Sequence, residues 1–114
     1  MIHPSLAPGR AAGLAAKYLT RGQSGLVGFE LKDEAEEAAA AGKCFIDALQ
    51  LFYHVANIGD SRSLAIHPAS TTHSQLSAEE RAPSGVSPGY VRLSIGIEHI
   101  DDILADLDAA LNVA

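Results

Sequence analysis

Apolar and polar positions along the chain switch repeatedly between a helical and a strand-like period. Residues 8–19 are rich in Ala, Leu and Lys, a helix-favouring run that Gly22 stops. Residues 25–31 are few, carry Val27 and Phe29 and begin at a glycine, which predicts a strand. Asp33, Glu34, Glu36 and Glu37 put negative charge into the first turn of a second helix, where the helix dipole favours it. Ala35, Ala38, Ala39, Gly42, Phe45, Ile46 and Leu49 then recur at i, i+3, i+4 spacing and give that helix an apolar face. Residues 51–55 predict a buried strand running into a turn at Asn57-Ile58-Gly59-Asp60. Residues 63–66 predict a short strand that Pro68 ends.

Ser, Thr, Gly and Pro crowd residues 69–89, which predicts a long loop with one helical turn near residues 78–81. A loop of that length in a small domain is usually functional or disordered. Residues 90–95 alternate: Val91, Leu93 and Ile95 point one way, Tyr90, Arg92 and Ser94 the other. The last helix has the clearest stripe, Ile100, Ile103, Leu104, Leu107 and Leu111, with Asp101, Asp102, Asp106 and Asp108 on its flanks and far side. The resulting order is helix, strand, helix, strand, strand, loop, strand, helix. It predicts an α+β fold in which helices cover a small, mainly antiparallel sheet.

Composition narrows the picture. A chain of 114 residues with 47% hydrophobic and 19% charged residues makes one domain with a core and excludes intrinsic disorder. Fourteen acidic against eight basic residues, a formal charge of −6, argue against nucleic acid or an anionic membrane as the main partner. No apolar run approaches the roughly 20 residues of a membrane span, and the first residues lack the basic and apolar regions of a signal peptide. A cytoplasmic location is expected. The single Cys44 excludes an internal disulfide and a Cys-based zinc site, and its place beside Phe45 predicts a buried, inert thiol. His3, His54, His67, His73 and His99 form no ligand motif, so no metal site is expected. The glycines between Gly22 and Gly28 precede a strand rather than open a helix, which is the wrong geometry for a phosphate cradle.

Arg92 is the candidate site residue. It sits mid-strand on the face of Tyr90 and Ser94, and a buried guanidinium needs a partner. Two partners suit it: an internal acid such as Glu98, or the carboxylate of a bound ligand, which a planar fork grips well. Asn57, at a turn with Gly59, either stabilises that turn or donates to the same anion.

The stretches NIGDSRSLAIHPASTTHSQLSAEER (57–81) and GVSPGYVRLSIGIEHIDDILADL (85–107) resemble the C-terminal domain of the O-acetylhomoserine sulfhydrylases. These enzymes form a branch of the Cys/Met-metabolism family of pyridoxal-phosphate (PLP) enzymes. Relatives typically carry Ser-Leu-Gly-Gly where this chain has Asn57-Ile58-Gly59-Asp60, and the version here, followed by residues 67–73, points to the sulfhydrylase branch. HPSLAPGRAAGLAAKYLTRGQSGLVGFELK (3–32) resembles the segment joining that family's large domain to its small one. The resemblance implies a helical connector over 1–23 and a small C-terminal domain over 24–114. It implies a fold like the small domain of an aspartate-aminotransferase-like enzyme.

Roles follow from the resemblance residue by residue. Arg92 matches the arginine that holds the substrate α-carboxylate, and Asn57 the residue that assists it. Thr72 and His73 belong to a loop that would approach the active-site mouth. The implied reaction is a γ-replacement: acetate leaves O-acetylhomoserine, sulfide adds, and PLP in the complete enzyme is the electron sink. Lys17, Lys32 and Lys43 do not lie in the family's Schiff-base lysine motif, so this chain should not bind PLP covalently or catalyse alone. Its expected partners are the PLP-binding large domain and a small amino-acid substrate, with a homo-oligomer for the complete enzyme. A start so close to the domain-joining segment suggests a truncated frame, a split gene or a deliberate piece. The alternatives are a stand-alone domain that binds an amino acid or a protein, and a remnant with no function of its own.

Overall fold

In the computed structural model, which describes residues 1–31, 35–72, 74–75, 77, 80, 83 and 85–114, the two central strands of a four-stranded sheet are its most buried. The elements are α1 (Gly9–Tyr18), β1 (Leu26–Glu30), α2 (Ala35–Ala48), β2 (Tyr53–His54), β3 (Leu64–Ile66), β4 (Tyr90–Ser94) and α3 (Ile100–Leu111), with single 3-10 turns at Pro4–Leu6 and Pro68–Ser70. The sheet order is β1-β4-β3-β2. β4 is antiparallel to both β1 and β3, whereas β2 runs parallel to β3. The sheet is therefore mixed, with two of its three pairings antiparallel as the sequence led us to expect.

Register fixes what each face carries. Val91 lies opposite Phe29, and Leu93 opposite both Val27 and Ala65. Directly opposed residues share a face, so these form one apolar surface. Phe45 and Ile46 of α2, Ile103 and Ala110 of α3, and Phe52 close over it to make the core. The Phe45 ring meets Phe29 edge-on, 5.4 Å between centroids, a geometry the aromatic quadrupole favours. Arg92 lies opposite Gly28 and Ile66, on the other face. Ile2 bridges to Gly28 on the free side of β1 and lays the N-terminal residues beside that face.

Several expectations need correction. The second strand is only Tyr53–His54 and both residues are exposed; Phe52 alone of that run is buried, because β2 is an edge and Tyr53 turns outward under the Arg62 guanidinium, 4.4 Å from its ring. Cys44 is exposed rather than buried, since α2 directs Phe45 and Ile46 inward, and its thiol donates to the Val113 carbonyl at 3.1 Å. The stripe of the last helix splits: Ile103 is buried, while Ile100, Leu104 and Leu111 stay exposed. The helical turn expected near residues 78–81 falls largely on residues outside those described.

The rotation of α3 has a polar counterpart. Asp106 is half-buried; its carboxylate accepts from the backbone N–H groups of Gln50 (2.8 Å), Leu51 (2.9 Å) and, more distantly, Phe52 (3.4 Å). It ties the chain leaving α2 to the last helix. Asp106→Ala strands these donors and should lower unfolding free energy by about 2 kcal/mol, read as a shift in the urea midpoint at unchanged slope. A shift within error of zero would mean that water replaces the carboxylate without cost.

Candidate functional site

The face opposite the core is polar at β4 because Tyr90, Arg92 and Ser94 alternate outward. Gly28 is the reason Tyr90 can lie flat there: a β-carbon on Gly28 would come within 2.5 Å of the Tyr90 hydroxyl. Arg92 reaches from this face toward the turn at residues 56–60. Its Nη2 donates to the carbonyls of Ala56 (2.7 Å) and Asn57 (3.3 Å). Its Nε is buried and has no hydrogen-bond partner. A guanidinium has five N–H donors in a fixed fork, so two main-chain carbonyls hold one arm while the inner donor waits unpaired.

No carboxylate pairs with Arg92 among the described residues. Glu98, the internal acid expected as one partner, is engaged elsewhere: it accepts from the Ser63 backbone N–H (2.7 Å) and the Ser63 hydroxyl (2.8 Å). The backbone donation from Ser63 is the main cause holding the Glu98 carboxyl below its usual range, partly opposed by burial. A depressed folded pKa means stability that is present above the ordinary glutamate range and is lost as pH falls through the folded value. Glu98→Gln should cost about 1 kcal/mol at neutral pH. Urea titrations of both proteins should show that gap closing as pH drops below the ordinary glutamate range; a gap constant with pH would remove the charge from the explanation.

Two clefts meet at Arg92. One, about 450 Å³, lies between the N-terminal residues Ile2, His3 and Pro4 and the Gly28–Tyr90 surface. The other, about 510 Å³, is walled by the 56–60 turn. The Ser94 hydroxyl accepts from Gly59 N–H at 3.1 Å and fixes that turn against the strand. Gly59 has φ +72°, a left-handed conformation that suits glycine. Asp60 also lines this cleft; the Arg62 backbone N–H, 3.0 Å away, is the main cause lowering its pKa, and the Arg62 guanidinium stands 3.6 Å from it.

The structure brings Arg92 and Asn57 together in the second cleft, where Asn57 contacts the arginine through its backbone carbonyl. Thr72 is exposed and lines neither cleft. His73 lies outside the described residues. One residue that sequence reasoning treated as ordinary has a defined part: His67 is buried, with Nδ1 2.9 Å from the Ser70 hydroxyl and Nε2 2.6 Å from the Pro88 carbonyl. It joins the two ends of the long loop before β4. Its burial against Gly42 of α2 was not visible in spacing, because the contact spans separate elements.

These features define an α+β domain in which a half-buried arginine, held by two main-chain carbonyls, stands where two clefts meet. The sequence over residues 1–112 matches the family model for the Cys/Met metabolism PLP-dependent enzymes, and the chain belongs to that family. It is 54% identical over 110 residues to the O-acetyl-L-homoserine sulfhydrylase of Leptospira meyeri, covering 96% of this chain and 24% of the relative. It is 46% identical over 115 residues to the L-methionine gamma-lyase of Pseudomonas putida, covering 100% of this chain and 28% of that enzyme. Among solved structures, a Campylobacter jejuni protein described as an O-acetylhomoserine (thiol)-lyase, containing a pyridoxyl-lysine, superposes with a TM-score of 0.81 at 46% identity, over 96% of this chain and 25% of that one. The cystathionine gamma-lyase of Lactobacillus plantarum, in complex with L-serine, gives 0.82 at 26% identity, over 97% and 28%. The chain thus spans about a quarter of the length of the relatives it matches.

The complete enzymes of this family use PLP. The described residues here do not fit that cofactor. No lysine lines either cleft at Arg92; Lys17 sets its ammonium 5.0 Å from the Tyr18 ring and Lys43 is exposed on α2. Among the described residues, no amine faces these clefts to form the covalent link to the cofactor.

Proposed function

We propose that this chain is the small C-terminal domain of a PLP-dependent sulfhydrylase and supplies the site for the α-carboxylate of an O-acetylhomoserine-type substrate. Residues 1–23 are the connector and 24–114 the domain; the lysine-bearing part lies in the portion of the enzyme it does not include, so it does not catalyse alone. The observation that carries this reading is the Arg92 guanidinium: oriented by two carbonyls, paired with no carboxylate among the described residues, with Nε buried and unpartnered. A buried donor left unpaired costs about 1–3 kcal/mol, and a carboxylate accepting from it would recover that cost. Asn57 and Gly59 shape the wall of the same cleft. In the complete enzyme, the loop of Thr72 and His73 would approach the active-site mouth, with no chemical step assigned to it.

The sulfhydrylase relatives at 54% identity favour γ-replacement giving homocysteine over the lyase reaction. The test is a chimera in which this chain replaces the matching segment of the Leptospira meyeri enzyme. The expected result is an aldimine absorbance near about 420 nm and sulfide-dependent homocysteine formation. A folded chimera that carries the cofactor yet turns over no O-acetylhomoserine would overturn the assignment. Arg92-dependent binding of amino acids by the isolated chain, in that event, would favour the stand-alone binding module.

A further inference from the structure

The cleft of about 510 Å³ at the 56–60 turn carries two opposite charges that form no ion pair with each other. Arg92 is held by the carbonyls of Ala56 and Asn57, with its inner Nε unpartnered. Asp60, the other charged residue of this cleft, is held by the residues that follow it. Its Oδ1 accepts from the Ser61 hydroxyl (3.4 Å) and the Arg62 backbone N–H (3.0 Å). Its second oxygen, Oδ2, accepts no hydrogen bond among the described residues. Donation from the Arg62 backbone also lowers the Asp60 pKa and so keeps the carboxylate charged. Opposite charges sharing a small cleft attract, yet here each is anchored to main-chain groups and the two stay apart. Ile58, 57% exposed, adds an aliphatic surface to the same cleft.

We infer that this cleft takes a free α-amino acid as its zwitterion, with the carboxylate on Arg92, the ammonium on Oδ2 of Asp60 and an aliphatic side chain against Ile58. A simple anion would satisfy Arg92 and be repelled by Asp60; a simple cation would meet the reverse. A ligand carrying both signs on neighbouring atoms satisfies both, through hydrogen bonds of the charge-assisted kind. Arg62 is the internal competitor for Asp60: its guanidinium stands 3.6 Å from Oδ1, is more than half exposed and also lies over the Tyr53 ring. The inference rests on the reading of Arg92 as a carboxylate site and adds the group that recognises the amine. It involves no cofactor, so the 114-residue chain itself tests it.

The experiment is an NMR titration of the labelled chain with L-methionine, with N-acetyl-L-methionine, which lacks the ammonium, and with L-methioninamide, which lacks the carboxylate. At low ionic strength L-methionine should bind about fivefold or more tighter than either derivative, and high salt should narrow the gap. Asp60→Asn keeps an oxygen for the Arg62 N–H but loses the charge. It should bring L-methionine down to the level of the N-acetyl derivative without weakening the latter, the non-additivity expected of groups in direct contact. Arg62→Gln should tighten L-methionine about twofold by releasing Asp60, an effect that a purely structural role of Asp60 in the turn would not produce. Circular dichroism checks that each variant keeps its fold. Equal affinity for L-methionine and its N-acetyl derivative, equal weakening of both by Asp60→Asn, no gain in Arg62→Gln, or no binding at all would each overturn the inference. Arg92→Gln separates the two readings. Equal affinities that still fall in Arg92→Gln remove only the amine contact, whereas binding indifferent to Arg92→Gln removes the carboxylate site as well.

Discussion

In the chimera, Arg92→Gln is expected to lower kcat/KM for O-acetylhomoserine by about a hundredfold or more, with Arg92→Lys recovering only a small part. Truncating one partner of a buried, hydrogen-bonded charge pair costs about 2–5 kcal/mol, and a loss of about 1.4 kcal/mol is tenfold in rate. Lysine keeps the charge but loses the planar fork. In this structure it would also lose the two-carbonyl grip of Ala56 and Asn57 on Nη2 that aims the unpaired Nε. A methyl ester of the substrate should be a poor ligand for the parent chimera and should distinguish little between it and Arg92→Gln. If Arg92→Gln instead left kcat/KM within a few-fold of the parent, the guanidinium would be a structural element of the 56–60 turn and the carboxylate would bind elsewhere.

The largest stability effect is expected at Gly42. A β-carbon there would stand 2.6 Å from Nε2 and 2.7 Å from Cδ2 of His67. The imidazole has nowhere to go: it is 1% exposed, and Ser70 and Pro88 hold its two nitrogens. Overpacking of a rigid site costs about 1–3 kcal/mol, and displacing the ring also unpairs the Pro88 carbonyl. Gly42→Ala should therefore destabilise by about 3 kcal/mol in urea unfolding. His67→Ala alone should cost about 2 kcal/mol through the lost hydrogen bonds. The double variant should cost clearly less than the sum, because removing the ring removes the clash. Strict additivity would show that α2 moves away from the ring and that the close approach is not what makes glycine necessary.

Strands β1, β3 and β4 were legible because their apolar residues alternate or cluster between glycine and proline, and α2 and α3 because their apolar residues keep a helical period. What the pattern did not carry is rotation and partnership. Five apolar residues on α3 read as one buried stripe, yet the Asp106 carboxylate must reach the backbone of residues 50–52, and that turns Ile103 and Ala110 inward and leaves Leu104 outside. Residues 51–55 read as buried because four of the five are apolar or aromatic; as the edge of the sheet, the strand buries only Phe52. Arg92 was visible as a candidate because a charged residue interrupts an apolar strand. Its partners were not, since backbone carbonyls carry no residue signature. The Ser63–Glu98 contact joins positions thirty-five residues apart with nothing local to announce it.

That Arg92 is steered by the main chain bears on how freely the 56–60 turn can diverge. Carbonyls at Ala56 and Asn57 exist whatever side chains stand there, so drift at these two positions leaves the arginine aimed as long as the backbone keeps its course. The course itself depends on few residues, the left-handed Gly59 and the Ser94 hydroxyl that receives its N–H. If the cleft takes the proposed carboxylate, a turn built this way can exchange the groups it shows to that ligand while its anchor persists, which separates the evolution of selectivity from the evolution of binding.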